Sequence, residues 1–400
     1  MLKFGLIREG KIPSDNRVAL SPAHCKFINK TQEGIEVIVQ QSDSRCYTNK
    51  EYESTGTAVR EDISDCDILL GIKEVPVEML IANKTYLFFS HTKKLQPYNR
   101  ALLKEMIAKK ITLIDYECLE HSDGKRIIGF GFFAGVVGAH NGMMAYGEKT
   151  GTYHLDRVNA TKSFQDLIHT YFGLKIPPIK IAVTGSGRVA HGVIEILNLM
   201  GIIEVEPNEY LAKEFSYPVF VHLKGGDLYS HKKDGSYHRD DFHAHAENYN
   251  CTFENYTAHT DILMNGIYWD KNIPRLFKED AMMAPSFRIQ TIADITDDMY
   301  GSIPCNLGDT TIEDPVYGIN KITLEKTMPY LSETIDIMSV GNLPNELPRD
   351  ASSYFGQELI KHVLKDIIEG NSEIINRATI LKEGKLTEAF AYMHDYAYGN

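Results

Sequence analysis

Residues 179–201 read IKIAVTGSGRVAHGVIEILNLMG. A short apolar run at 179–184 is followed at once by glycines. Then comes a segment, 188–200, whose apolar residues recur at helical spacing as far as Gly201, a residue well suited to end a helix. Gly185, Gly187 and Ala190 form a GxGxxA turn between the two, with another small residue at Gly192. Glycine at 185 permits the tight turn, bare backbone at 187 lets a pyrophosphate approach, and Ala190 lets the helix pack closely. The first N–H groups of that helix, which opens at Arg188, then face the anion. The pattern predicts a strand–turn–helix that binds a dinucleotide. Glu206 lies 21 positions after Gly185, at the end of the short run 202–205, where a carboxylate can accept hydrogen bonds from a ribose 2′-hydroxyl. That favours NAD, while Arg188 and nearby lysines leave NADP as the alternative.

Working outward, the chain before residue 120 repeats a second pattern, short apolar runs rich in β-formers followed by helical or turn segments. Strands are expected at 3–7, 35–39, 67–72, 85–89 and 111–114, with a helix at 100–110, which predicts a parallel sheet. In such a sheet the ligand crevice lies beyond the carboxyl ends of the strands. The polar residues there are Arg8, Glu9, Lys73, Glu74, His91 and Glu117. A charged residue often ends a strand for no other reason than contact with water, so each alone says little. Acids, bases and cations from four strands at one edge say more.

Residues 129–142, GFGFFAGVVGAHNG, suit a close-packed helix crossing between domains and mark the first domain boundary. Further strands are expected at 262–269, 288–295 and 335–340, and the tail from 351 to 400 reads as largely helical. The fold class is therefore α/β: two Rossmann-like domains with parallel sheets, separated by an active-site cleft.

At 400 residues the chain has length for two or three domains at roughly 150 residues each, and two fit the pattern. With 43% hydrophobic and 24% charged residues it has the composition of a folded, soluble protein. A formal net charge of −12, without a run of Lys or Arg, argues against nucleic acid as a partner. The opening MLKFGLIREG lacks the features of a secretory signal, and no apolar stretch approaches the ~20 residues that span a bilayer, so no membrane association is expected. Six cysteines (Cys25, Cys46, Cys66, Cys118, Cys251, Cys305) stand singly, which points to a reducing, cytoplasmic setting. Six histidines fall within 222–259, but their spacing matches no compact zinc motif beyond an undersized His243-x-His245 pair. The segment is read as a solvated loop and no metal is expected.

Several segments together resemble a known family: IREGKIPSDNRVALSP (7–22), GIKEVP (71–76), FFSHTKKLQPYN (88–99), LIDYE (113–117), RIIGFGFFAG (126–135), GSGRVAHG (185–192), NGIYWDKNIPRL (265–276) and SVGNLPNELPRDAS (339–352). The chain resembles the lysine-forming saccharopine dehydrogenases and the lysine-ketoglutarate reductase half of bifunctional aminoadipic semialdehyde synthases. Both lie within the alanine dehydrogenase/transhydrogenase superfamily. The contexts of Arg17, Lys73 and His91 are common to that superfamily, whereas GFGFFAG and NGIYW resemble the saccharopine branch.

The resemblance implies a first domain of 1–130 completed by C-terminal helices from 345–400, and a dinucleotide-binding domain of 131–344. It implies interconversion of saccharopine with lysine and 2-oxoglutarate by hydride transfer and imine hydrolysis. Oxidation of an amine needs a base beside the nitrogen, and Lys73 can serve only if burial or neighbours depress its pKa. Imine hydrolysis needs a group that takes and returns a proton, which suits the imidazole of His91, a side chain with an unperturbed pKa of ~6.5. Glu74 and Glu117 would tune these charges, and Arg17 and Arg126 would clamp substrate carboxylates. Asp298 and the turn Asn342–Leu343 would touch the cofactor. The glycine turn resembles that of the reductase half, a group associated with NADPH, and so weakens the preference for NAD. An alanine dehydrogenase or other amino-acid dehydrogenase, and an inactive nucleotide-binding regulator, are the rival readings. A homo-oligomer or a separate partner enzyme is left open beside the small amino-acid substrate.

Overall fold

The computed structural model describes residues 1–370 and 372–399, and the chain divides into two compact units. The first comprises Met1–Phe130 with the chain from Pro348 onward, and the second comprises Gly131–Leu347.

In the first unit the strands β1 (Leu2–Leu6), β2 (Ile35–Gln40), β3 (Ala58–Arg60), β4 (Ile68–Leu70), β5 (Thr85–Phe88) and β6 (Thr112–Asp115) form a parallel array ordered β6-β5-β4-β1-β2-β3. Consecutive buried residues such as Val37, Ile38 and Val39 show why the runs are apolar without alternation: both faces of the sheet are covered. The expected helix at 100–110 forms as Arg100–Ala108. β3 has only three residues, one an arginine, and leaves no periodic trace in the sequence.

The C-terminal segment returns to this sheet. Helix Pro348–His362 inserts Phe355, which stacks on Phe130 with ring centroids 4.6 Å apart, while Ser352 Oγ accepts the Val18 N–H at 2.9 Å. The tail is largely helical, as expected, but Thr379–Lys382 and Lys385–Leu386 add an antiparallel pair that extends the sheet beyond β6 to eight strands. A hairpin this short is too brief for period-two alternation to appear. Asn371 and Asn400, within the tail read as helical, lie outside the described residues.

Among the described residues the main sheet of the second unit also has eight strands. β7 (Lys180–Thr184), β8 (Ile203–Glu204), β9 (Val219–Leu223), β12 (Ile262–Asn265), β13 (Thr291–Asp294) and β16 (Thr334–Met338) run parallel in the order β8-β9-β7-β12-β13-β16. Antiparallel strands β14 (Val316–Asn320) and β15 (Lys326–Thr327) close the β16 edge. Between β9 and β12 the pair β10 (Tyr229–His231) and β11 (Tyr249–Cys251) makes a small sheet of its own.

That pair corrects the reading of 222–259 as a solvated loop. Tyr229, Phe242, Tyr249, Phe253 and Tyr256 are buried there, and Tyr229 lies 4.4 Å from Phe242 between ring centroids. Aromatics alternating with histidine and aspartate conceal a core that only the tertiary fold assembles. Among the described residues no group of three or more His, Cys, Asp or Glu side chains is placed to hold a metal ion. No described helix is long and apolar enough to cross a membrane.

The segment 129–142 supplies helix Gly131–Thr150, which packs on helix Arg188–Leu199 within the second unit. A β-carbon at Gly135 would lie 2.0 Å from the Val189 carbonyl oxygen, and one at Gly192 would lie 2.0 Å from that of Phe132. The two backbones touch through paired glycines.

Candidate active site

The carboxyl ends of β1, β4, β5 and β6 carry the titratable residues of the first unit. Beyond β1, Glu9 turns inward and accepts the backbone N–H groups of Ile72 (2.7 Å) and Lys73 (2.9 Å) on its two carboxylate oxygens. It thereby pins the turn that follows β4. Burial pushes the Glu9 carboxyl up to about 7, against the pull of those two hydrogen bonds. Sequence placed Glu9 at the strand edge but gave it no role.

Lys73 is partly buried, and its amine is lowered to about 8, first by burial and then by the positive charge of Arg17, with Asp15 opposing. Arg17 and Asp15 form a buried bidentate pair, Nε to Oδ1 at 2.9 Å and Nη2 to Oδ2 at 2.6 Å, with the guanidinium 4.2 Å above the Phe130 ring. Burial raises the Asp15 carboxyl, but Arg17 overrides it and holds it at about 2. Arg17, expected to clamp a substrate carboxylate, directs Nε and Nη2 to Asp15, and its charge helps to lower the Lys73 amine.

His91 follows β5 in a left-handed conformation, φ +52°, which a non-glycine residue adopts at a cost of order 1–3 kcal/mol. Its Nδ1 lies 2.7 Å from Glu74 Oε1, and Lys11 Nζ donates to Glu74 Oε2 at 2.7 Å. Burial would raise the Glu74 carboxyl, yet the hydrogen bonds and charge of His91 and Lys11 hold it at about 2. An ionised Glu74 accepts a hydrogen bond from Nδ1–H, the tautomer that leaves Nε2 as the acceptor nitrogen of the ring. The strain has a local support: Asp115 accepts from the N–H and Oγ of Ser90 and from the Glu117 N–H at 2.7 Å, tying the turns after β5 and β6 together. Asp115 and Lys11 were not singled out in the sequence.

Glu117 is buried and pairs with Arg126 at 3.0 Å. Burial raises its carboxyl, but Lys93 and Arg126 outweigh that and leave it below the usual range. The structure thus gathers Lys73, Glu74, His91 and Glu117 at adjacent strand ends of one sheet, with Arg17 and Arg126 brought beside them by the loops after β1 and β6.

In the second unit the glycine turn has the form a dinucleotide needs. Gly185 has φ +106°, and a β-carbon there would lie 2.5 Å from the Gly266 carbonyl oxygen. A β-carbon on Gly187 would meet nothing within 4 Å, so bare backbone faces outward just where helix Arg188–Leu199 begins, while Ala190 is fully buried beneath. These residues fit a pyrophosphate at a helix N-terminus.

Glu206 sits elsewhere than its spacing suggests. β9, not β8, lies beside β7, and Glu206 follows the outermost strand, where it begins helix Pro207–Ala212. Spacing in sequence cannot reveal that two successive strands exchange places in the sheet.

At the ends of β7, β12 and β13 lies a buried polar network that sequence reading missed. Asn265 accepts from Thr184 Oγ1 and donates to Asp294 and Ser302, each at 2.8 Å, while Asn306 donates to Asp294 at 2.8 Å and to Ser339 at 2.9 Å. Ser339 in turn donates to Asp297 at 2.5 Å. Burial lifts the Asp297 carboxyl to about 7, aided by the neighbouring acids Asp309, Asp294 and Asp298. The neighbouring Asp298, expected at the cofactor, is exposed; Leu343 is buried, and Asn342 opens a short turn in which its carbonyl accepts the Asn345 N–H at 2.9 Å.

Comparison with known proteins agrees with this architecture. Residues 5–137 match the family described as alanine dehydrogenase/PNT, N-terminal domain. An L-alanine dehydrogenase structure superposes with TM-score 0.66 at 15% identity, covering 99% of this chain and all of that one, which shows a common fold. The mitochondrial alpha-aminoadipic semialdehyde synthase of Rattus norvegicus is 32% identical over 443 aligned residues, covering 98% of this chain and 47% of that protein. The chain therefore spans about half the length of the synthases it matches. A protein named saccharopine dehydrogenase [NAD(+), L-lysine-forming] from Yarrowia lipolytica is 26% identical, covering 91% of this chain and 92% of that one. The resemblance read from the sequence thus stands: the chain is a relative of the aminoadipic semialdehyde synthases and the lysine-forming saccharopine dehydrogenases, with a first domain of the alanine dehydrogenase/PNT type.

Proposed function

We propose that the chain is an NAD(P)-dependent oxidoreductase of the CH–NH group that interconverts saccharopine with lysine and 2-oxoglutarate. The observation that carries the reading is a lysine amine lowered to about 8 on the strand end next to a His91–Glu74–Lys11 chain. Relatives named for this chemistry supply the substrate class. When bound at Gly185–Ala190, the dinucleotide supplies the acceptor or donor of a hydride.

In the oxidative direction, neutral Lys73 removes a proton from the substrate ammonium, freeing the lone pair that drives hydride off the adjacent carbon. Water adds to the resulting C=N⁺ carbon while Nε2 of His91 takes its proton. His91 then returns that proton to nitrogen and receives the carbinolamine hydroxyl proton as the C–N bond breaks, releasing lysine and 2-oxoglutarate. Glu74 stabilises the imidazolium in each interval, and Lys11 keeps Glu74 ionised. Arg126, beside Glu117, is our candidate for a substrate carboxylate.

Absorbance of the reduced nicotinamide tests the reading. Saccharopine with NAD or NADP, and lysine plus 2-oxoglutarate with either reduced cofactor, should turn over. Activity with alanine plus NAD alone would move the chain to the neighbouring branch, and none with any pair would leave only a nucleotide-binding role.

A further inference from the structure

The amino ends of β4, β5 and β6, opposite the edge that carries Lys73, His91 and Glu117, border a cavity of about 450 Å³. Ile68, Thr85 and Thr112, which stand side by side in register, line it together with Ile114. Ile367 and Ile375 line it from the short helices Leu364–Glu369 and Glu373–Ala378 of the C-terminal segment. All four isoleucines are at most 8% exposed. The space lies within the first unit and has the size of small-molecule sites.

Its rim is charged. Lys382, Glu383 and Glu388 also line the cavity, all three are exposed, and no ion pair among the described residues engages their charged groups. The turn that presents two of them is preset. Glu383 at φ +50° and Gly384 at φ +76° are successive left-handed residues, as in a two-residue hairpin loop, where asparagine or glycine ordinarily comes first. A β-carbon at Gly384 would lie 2.5 Å from the Ile107 carbonyl oxygen, and the Glu383 N–H donates to Thr112 Oγ1 at 3.0 Å. A glutamate therefore holds a backbone conformation that strains it, at the rim of a cavity.

The lining selects a class of ligand. An anion would meet two carboxylates, a simple amine would leave Lys382 unanswered, and a wholly apolar molecule would use none of the three charges. A zwitterion with an aliphatic tail answers every feature: its carboxylate meets Lys382, its ammonium Glu383 and Glu388, and its chain the isoleucines. We infer that this cavity is a second ligand site, for an α-amino acid with an aliphatic side chain, at the sheet edge remote from the residues that move protons. The inference does not depend on the proposed reaction.

Ligand-observed NMR titration of the full chain tests it, with norleucine as the probe because it has the zwitterion and the chain but lacks the second ammonium of lysine. Alanine, three methylenes shorter, and N-acetylnorleucine and norleucinamide, each lacking one charge, should bind at least about tenfold more weakly than norleucine. Lys382→Met and Glu388→Gln should each weaken norleucine by about tenfold, and Lys382→Arg should retain it. Ala389→Trp, at the exposed rim, should block the cavity, while Lys73→Met should leave the affinity unchanged. No binding of norleucine up to about 10 mM, well above the millimolar range of weak specific sites, would overturn the assignment. So would hexylamine binding as tightly as norleucine, or affinity lost in Lys73→Met and kept in Lys382→Met and Ala389→Trp, which would place the amino acid at the candidate active site instead.

Discussion

The two sheets carry carboxylates beyond the carboxyl ends of parallel strands, and these differ by what they meet. Asp15 and Glu74 in the first meet a cation, whereas Glu9 in the first and Asp297 in the second meet none within hydrogen-bond reach among the described residues. In the first unit Asp15 and Glu74 are held at about 2, each against a cation within hydrogen-bond reach. In the second unit Asp297 rises to about 7, with a serine hydroxyl as its donor and three other aspartates nearby. Burial pushes all three upward, so burial does not decide the outcome; a cation at 2.6–2.7 Å does. One edge is thus wired to keep charges and pass protons between them. The other joins its aspartates through amides and hydroxyls beside a bare-backbone turn, suited to holding a ligand in place.

The largest effects should separate the edges cleanly. Lys73→Met and His91→Gln should each lower turnover by roughly 10²–10⁴-fold, the span of acid–base contributions, with dinucleotide affinity measured by fluorescence unchanged. Lost affinity in either variant would mean that these side chains hold the ligand rather than move protons. Gly185→Ala should do the reverse. With φ at +106° and the Gly266 carbonyl 2.5 Å from the new carbon, it should weaken dinucleotide binding and cost about 1–3 kcal/mol of stability in chemical unfolding. Wild-type affinity there would show that the turn is not the cradle.

Much of this contrast was legible in the sequence, for a physical reason. Parallel strands buried on both faces leave uninterrupted apolar runs, so the residue that ends each run marks the sheet edge. Lys73, Glu74, His91 and Glu117 were located that way, and Gly185–Ala190 by strand–turn–helix context. What depends on lateral order was not legible: that β9 displaces β8 from beside β7, that Asp15 captures Arg17, that Asp115 braces the turns after β5 and β6. Nor was the aromatic core around Phe242, because its members gather around a hairpin whose flanks read as polar.

The pH dependence sharpens the first edge. Lys73 accepts a proton only as the neutral amine, so kcat/KM for oxidation should rise with pH through about 8 and then level. Arg17 contributes to that lowered value, so Arg17→Met should shift the rise to higher pH while the plateau changes less. An unshifted limb would assign the titration to another group.

The smallest effect belongs to the second edge and concerns stability. The folded-state pKa of Asp297, about 7, lies above the ordinary 3.8, so the group's contribution is fully present below about 4 and is lost as pH rises through 7. Asp297→Asn keeps an acceptor for Ser339 and substitutes an uncharged amide that can face Asp309, whose carboxylate lies beside the same Gly341. The variant should therefore match wild type near pH 4 and exceed it at pH 8 by about 1–2 kcal/mol, less than the full shift implies because the group is not wholly shielded from solvent. Urea unfolding at the two pH values measures the difference. Equal stability at pH 8 would mean that the carboxylate is tolerated in its ionised form, and that the second edge holds charge as readily as the first.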